Sequence, residues 1–331
     1  MSESLWTHWS ASFGLRVPIV NAPMGGVAGG ALATAVTGAG GLGMVGIGSA
    51  GTVGDLRRET AIPRRRGVRF GIGLIAWAVT GDPELLAAAV DAGPALISVS
   101  FADDWSWVER VHDAGIAAAT QVYDTETAVR AYEAGVDVLV ARGGEGGGHG
   151  VHRTGTLVLL QEVLDAVPAP VLAAGGIASH RGLAAVLAAG AAGAWLGTPF
   201  VACPESSATD AVRSLMVRAD GADTVCTRVF DVTLGYPWPA RYDERVLRND
   251  VTDRWRGAEG ELAADAEART SLARAITRGD PTVTVVDAGQ GVGLVTEVRP
   301  AAAIIEELVR GASALLAGWA QRSGPATQAD R

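Results

Sequence analysis

A single histidine set among glycines is the residue in this chain best placed to move a proton. It lies in the run Arg142-Gly143-Gly144-Glu145-Gly146-Gly147-Gly148-His149-Gly150. An imidazole titrates near neutral pH and can donate, accept or carry a proton. Glycines on both sides of His149 let the backbone approach a ligand closely and adopt dihedrals that other residues avoid. His152 shares the loop, but Val151 and Arg153 flank it, so the chain is expected to be turning back to the surface there. The remaining histidines, His8, His112 and His180, have no glycine-rich setting. His149 and His152 stand at i, i+3 with no helix and no third ligand, so no metal is expected. Ser/His/Asp hydrolysis lacks a nucleophile-elbow motif. All 27 basic residues are Arg, which removes the amine that Schiff bases and Walker-type phosphate binding need. Cys203 and Cys226 show neither metal-ligand spacing nor a disulfide framework and read as ordinary thiols.

The elements that must carry these residues follow a repeating pattern from about residue 17 to 200. A short apolar run leads into a Gly or polar loop, then an Ala-rich amphipathic segment, then Ala-Gly, as at Ala92-Gly93, Ala114-Gly115 and Ala134-Gly135. Gly after an Ala-rich helix is an expected C-terminal cap. Strands are expected at 18–22, 42–47, 70–75, 95–100, 117–122, 136–140, 171–174 and 194–196. Strands alternating with helices imply parallel pairing, and eight such units fit a (β/α)8 TIM barrel better than an open doubly wound sheet. The GxGxxG match at Gly41–Gly46 is discounted, because its glycines run into a strand and a helix-like segment precedes them. Beyond residue 200 the period breaks. Residues 262–278 read as a helix, 282–286 as a strand and 301–321 as a helix. The chain therefore divides into a barrel at 15–220, a partly helical appendage over the barrel mouth at 221–322, and a frayed tail at 323–331.

A barrel places ligands at the carboxyl ends of its strands, with an anion site commonly after strands seven and eight. Gly175-Gly176 follows the seventh strand and Gly197-Thr198 the eighth, and each is expected to open a helix whose N–H groups favour an anion. Asn21-Ala22-Pro23-Met24-Gly25-Gly26, after the first strand, belongs to the same face, as do Gly73, Trp77, Phe101, Gln121 and Tyr123. A net charge of −9 argues against a nucleic-acid partner. No apolar stretch reaches the length of a membrane span, and Met1-Ser2-Glu3-Ser4 lacks a signal pattern, so a cytoplasmic protein is expected.

Taken in order, Asn21–Gly26, Gly143–Gly150, Ala173-Ala174-Gly175-Gly176-Ile177-Ala178 and Leu196-Gly197-Thr198-Pro199-Phe200 resemble the FMN-dependent nitronate monooxygenase (2-nitropropane dioxygenase-like) family. Ala288-Gly289-Gln290-Gly291-Val292-Gly293-Leu294 resembles its C-terminal signature, so the likeness spans roughly residues 15–318. The resemblance implies a TIM barrel holding FMN. Gly175, Gly176, Gly197 and Thr198 match the phosphate-binding positions, Ala22, Pro23 and Met24 the segment lining the flavin ring, and Gly147 and Gly148 the backbone beside it. His149 matches the catalytic histidine. Two positions depart from the family. Where it often has Phe-Gly-Val-Asn-Leu, this chain has Phe70-Gly71-Ile72-Gly73-Leu74, so Gly73 replaces an asparagine that contacts the flavin. Where a lysine often follows the fifth strand, this chain has the neutral Gln121. The implied activity is oxidation of alkyl nitronates, or the parent nitroalkanes, with O2 to a carbonyl compound and nitrite. The alternative is an NAD(P)H-dependent flavin reductase resembling type II enoyl-acyl-carrier-protein reductases or quinone reductases. Either acts on a small-molecule substrate, and a homo-oligomer fits the chain as well as a monomer.

Overall fold

The computed structural model describes residues 5–280 and 282–322, so the expected tail at 323–331 lies outside the described residues. Eight short runs, buried except at Ala117 and Gln121, form one parallel sheet. They are β1 (Ile19–Asn21), β2 (Met44–Gly46), β3 (Gly71–Ile75), β4 (Leu96–Ser100), β5 (Ala117–Val122), β6 (Val138–Arg142), β8 (Val171–Ala174) and β9 (Gly193–Leu196), with β7 (Gly148–Gly150) outside it. Their order is β1-β9-β8-β6-β5-β4-β3-β2. All eight expected strands are present. Near-continuous apolar runs are what strands covered on both faces require.

The ring closes where β1 meets the approach to β2. Val20 pairs with Leu42 in a parallel bridge. The fully buried Asn21 then substitutes for backbone: its Oδ1 accepts the Met44 N–H at 2.8 Å and its Nδ2 donates to the Met44 carbonyl at 3.0 Å. Val20, Met44, Leu96, Val138, Val140, Leu172 and Trp195 pack together inside the ring. Trp9 joins them from a short helix, His8–Ser12, whose N-cap Thr7 donates to the Ala192 carbonyl just before β9 and so plugs the amino end. Ile19, Ile72, Ile97 and Leu139, alternating with those residues, face the helices outside. The Ala-Gly signals end helices as expected, with Gly93, Gly115 and Gly135 at φ 66°, 69° and 91°. The GxGxxG run leads into β2, so it opens no helix.

After β9 the chain builds a cover. Strands β10 (Thr224–Thr227) and β11 (Asp243–Leu247) form an antiparallel sheet in the order β10-β11-β7. Thus the glycine–histidine run, expected to be all loop, contributes a strand that the cover pairs with. The segment 282–286, expected as a strand, is not one. Only Asp287 forms a bridge, to Val246, although the Val286 carbonyl accepts the Leu247 N–H at 2.9 Å. The expected helix at 262–278 is two helices, Glu259–Ala264 and Ala266–Thr277, because Asp265 leaves helical geometry to cap the second, accepting the Ala268 N–H at 2.8 Å. Helix Ala301–Arg322 returns to the barrel and packs on helices His180–Ala188 and Gly30–Gly38. Among the described residues no helix is long and apolar enough to cross a membrane.

Candidate active site

The carboxyl ends of the strands open into a cavity of about 640 Å³ that reaches up under the cover. Small-ligand sites commonly hold roughly 300–1,000 Å³. Ala22, Pro23, Met24, Gly73, Gln121, Gly147, Gly148, His149, Gly175, Gly176, Gly197 and Thr198 all line it. Residues from six separate strand ends and loops are thus brought together on one surface. Of the other strand-end residues, Phe101 lines the cavity, whereas Trp77 and Tyr123 pack beside it in an aromatic cluster with Trp238 and Tyr242.

One end of the cavity is built almost wholly from backbone. Gly175 and Gly176 take φ of +112° and +68°, conformations that a side chain resists. They do not open a helix as expected; the next one starts at His180, capped by Ser179. Gly197 does cap a helix, Thr198–Val201, although it is one turn long. Thr198 Oγ1 accepts the Gly289 N–H at 3.0 Å, which ties the C-terminal signature to β9 and leaves the hydroxyl hydrogen to donate. Gly289 also lies so close to Glu145 and Gly147 that a Cβ would meet the Glu145 carbonyl at 2.7 Å.

The glycine run wraps around a buried cation. Arg142, the last residue of β6, is 4% exposed and donates from Nη2 to the carbonyls of Gly146, Gly147 and Gly148 at 2.9, 2.9 and 3.0 Å. A Cβ on Gly146 or Gly150 would stand 2.7 or 2.4 Å from the guanidinium. Several of these glycines therefore serve the arginine rather than a ligand. His152 completes the bracket. Its Nδ1 lies 3.1 Å from Arg142 Nη1 and its Nε2 3.0 Å from the Asp243 carbonyl. A neutral ring accepting at Nδ1 and donating from Nε2 satisfies both, and the Gly144 carbonyl, also 3.1 Å from Nδ1, takes its hydrogen bonds from Arg245. Burial, with Arg142 beside it, holds the imidazole down to about 4. His152 is therefore a packed strut between loop and cover, not a residue on its way to the surface.

His149 faces the cavity instead. Its Nε2 lies 3.0 Å from both oxygens of Asp231, a residue only 3% exposed. The carboxylate fixes Nε2–H, so the ring's lone pair is on Nδ1. Trp238 stacks flat on the imidazole, with 3.6 Å between centroids and 7° between planes. The indole N–H donates to Ser49 Oγ at 3.1 Å, which ties the cover across the mouth to the loop after β2. Glu244 is directly opposite His149 in the β11–β7 register. One of its oxygens is buried with no hydrogen-bond partner, and burial together with Asp287 and Asp231 pushes its carboxyl well above the usual range. The Asp287 carboxyl opens into the same cavity beside Gly148 and is also pushed up, chiefly by burial.

The two departures have physical reasons. A Cβ on Gly73 would sit 2.2 Å from the Pro23 ring, so an asparagine cannot occupy that position with Pro23 where it is. Gln121 accepts a hydrogen bond from Tyr123 at 3.2 Å. The cation lining this cavity near the glycine run is Arg142, at the end of the neighbouring strand. Asp231, Glu244, Asp287, Arg142 and Trp238 were all missed in the sequence. Only two left local signals: Arg142 opens the glycine run, and Asp287 directly precedes the C-terminal signature.

A sequence model described as nitronate monooxygenase matches residues 73–311, from β3 through the cover to the last helix. The nitronate monooxygenase npaC of Metarhizium robertsii is 33% identical over 339 residues, covering 90% of this chain and 91% of that protein. Among solved structures, FabK from Thermotoga maritima superposes with a TM-score of 0.84 at 28% identity, over 96% of this chain and 100% of that one. Nitroalkane oxidase from Streptomyces ansochromogenes gives 0.78 at 28% identity, over 95% and 99%. The likeness therefore takes in barrel and cover alike, including every loop that meets at His149, and the chain belongs to the nitronate monooxygenase family of flavin-dependent oxidoreductases.

Proposed function

We propose that this enzyme binds FMN and oxidises alkyl nitronates, or the nitroalkanes from which they form, with O2 to a carbonyl compound and nitrite, acting in the cytoplasm. The observation that carries the reading is the His149–Asp231 pair, which meets the glycine-rich loops at one cavity. The cavity fits the cofactor by its donors: left-handed backbone at Gly175 and Gly176 with the Thr198 hydroxyl for the phosphate, and Ala22, Pro23, Met24, Gly73, Gln121, Gly147 and Gly148 for the ring system. Bound FMN would supply the electron transfer and the oxygen chemistry. Residues 15–220 form the cofactor-holding barrel and residues 221–322 the cover that completes the pocket.

The chain's own part is proton handling and exclusion of water. With Nε2–H fixed on Asp231, His149 takes the α-proton of a neutral nitroalkane at Nδ1. Once protonated there, the imidazolium donates to an oxygen of the resulting nitronate. A pre-formed nitronate needs only the second of these actions. Trp238 keeps one ring face dry and the imidazole in a single orientation.

An NAD(P)H-dependent flavin reductase is the second reading. It is favoured by one observation, the closer superposition on FabK than on nitroalkane oxidase. Anaerobic mixing of the purified holoenzyme with a nitronate and, separately, with NADH tests both. Flavin reduction by the nitronate is expected there, with nitronate-dependent oxygen uptake in a parallel aerobic assay lacking NADH; rapid anaerobic bleaching by NADH alone would replace the first reading with the second.

A further inference from the structure

The surroundings of His149 are acidic to a degree that its own chemistry does not require. One carboxylate, Asp231, is engaged with the imidazole. A second, Glu244, is 3% exposed and has an oxygen without a partner; its ligand atom, that of Asp231 and that of His149 lie within 4.8 Å of one another. The third, Asp287, opens into the cavity and forms no side-chain hydrogen bond or ion pair among the described residues. Among the described residues no arginine side chain forms an ion pair with any of the three, although His149 and Arg142 both act on Asp287 through space. Arg142 commits its donors to the carbonyls of the glycine run and to His152, and Arg58, elsewhere on the cavity wall, pairs with Asp55 and Glu59.

We propose that Asp231, Glu244 and Asp287 form a recognition wall for an ammonium group on the substrate, so that nitro compounds carrying a nearby amine are preferred and those carrying a second carboxylate are rejected. The proposal rests on the nitroalkane reading above and names the substrate class within it. An ammonium brings three N–H donors and a compact positive charge, which is what an orphaned carboxylate oxygen and an unpaired carboxylate lack. Charge-assisted hydrogen bonds to it would form at Asp231 and Glu244, each 3% exposed, and at Asp287, which is open to the cavity. A substrate carboxylate would instead meet the Asp231 charge and two carboxyls already pushed up, and would drive these further toward their protonated forms. Asp287 lies beside Gly148, one residue before His149, so the ammonium would be held a short chain away from the carbon that loses its proton.

The test uses the flavin-loaded enzyme and two readouts. In the first, primary nitroalkanes of equal chain length ending in methyl, ammonium or carboxylate are compared by kcat/KM. The ammonium compound is expected to exceed the carboxylate compound by ~100-fold or more, the scale of exchanging a paired for a like-charged contact. In the second, butylammonium and butyrate, which cannot react, are titrated calorimetrically. Butylammonium is expected to bind at least ~10-fold more tightly, and Asp287→Asn to remove about tenfold of that preference, the size of one lost charged hydrogen bond. Should Asp287→Asn fail to retain flavin, Glu244→Gln is read in the same titration. Equal binding of the two ions, or a preference untouched by either variant, would overturn the proposal. If no nitro compound is turned over but butylammonium is still preferred, the nitroalkane reading falls and the ammonium wall stands.

Discussion

At the scale of single residues, the two histidines of one loop have opposite jobs. His149→Ala should retain flavin, because the groups assigned to the phosphate lie on other loops, yet lose about 100- to 10,000-fold in turnover. The loss should be greater with neutral nitroalkanes than with pre-formed nitronates, and an equal loss with both would remove the base role. His152 instead governs acid stability. Its imidazole is held down to about 4 in the folded chain, against about 6.5 when unfolded. As pH falls, the unfolded chain takes up the proton first. The stability that His152 contributes is full above pH ~6.5 and is lost as pH drops toward 4, about 3 kcal/mol at most. Urea unfolding at pH 7.5 and pH 5 should show a gap that narrows in His152→Gln; an unchanged gap would assign the effect to another group. The sequence distinguished these histidines by their flanking glycines, and that sufficed to aim His149 at the cavity. It could not supply Asp231, which is 82 positions away and reaches His149 only through the fold of the cover. Nor could it show that glycines such as Gly146 and Gly150 make room for a guanidinium.

At the scale of elements, the barrel strands were legible because each is a short, mostly apolar run between Gly or Pro signals, a pattern that survives without tertiary information. The cover was less so. Its strand β7 is Gly148-His149-Gly150, a composition with no strand preference, held in the ladder by β11 rather than by propensity. The segment 282–286 has strand composition but completes no ladder. Two substitutions probe how the elements are joined. Thr198→Val takes the acceptor from the Gly289 N–H. It should weaken FMN binding by about 1–2 kcal/mol and loosen the C-terminal signature from β9 as well. Fluorescence titration of apoenzyme with FMN measures the first effect, and unchanged affinity would remove Thr198 from the phosphate end. Gly150→Ala should cost more, since its methyl would meet Arg142 at 2.4 Å. Overpacking of this kind commonly costs about 1–3 kcal/mol. Thermal unfolding should show a lower midpoint in Gly150→Ala, while Gly26→Ala, which has open space around its Cβ but φ +72°, carries only the backbone penalty.

At the scale of the whole molecule, barrel and cover are two layers fastened around one cavity, with Trp238 to Ser49, Thr198 to Gly289, His149 to Asp231, His152 to Asp243 and the β7–β11 ladder among the fastenings. The barrel itself is less uniform than eight repeated units imply. Seven of its strand junctions are continuous parallel ladders, whereas the eighth is one bridge and the side-chain amide of Asn21. A ring of this kind has a designated place to breathe. Native-state hydrogen exchange should find the Leu42 and Met44 amides exchanging through a lower-energy opening than those of Ile97 or Leu139, and Asn21→Asp, which sets an oxygen against the Met44 carbonyl, should lower it further. Equal protection around the ring would refute this. Gly25 and Gly48, on the loops that flank the seam, nearly touch and both line the cavity. An excursion at Asn21 would therefore be felt at the cavity wall, so that the stitch closing the barrel also holds two of the loops that shape its mouth.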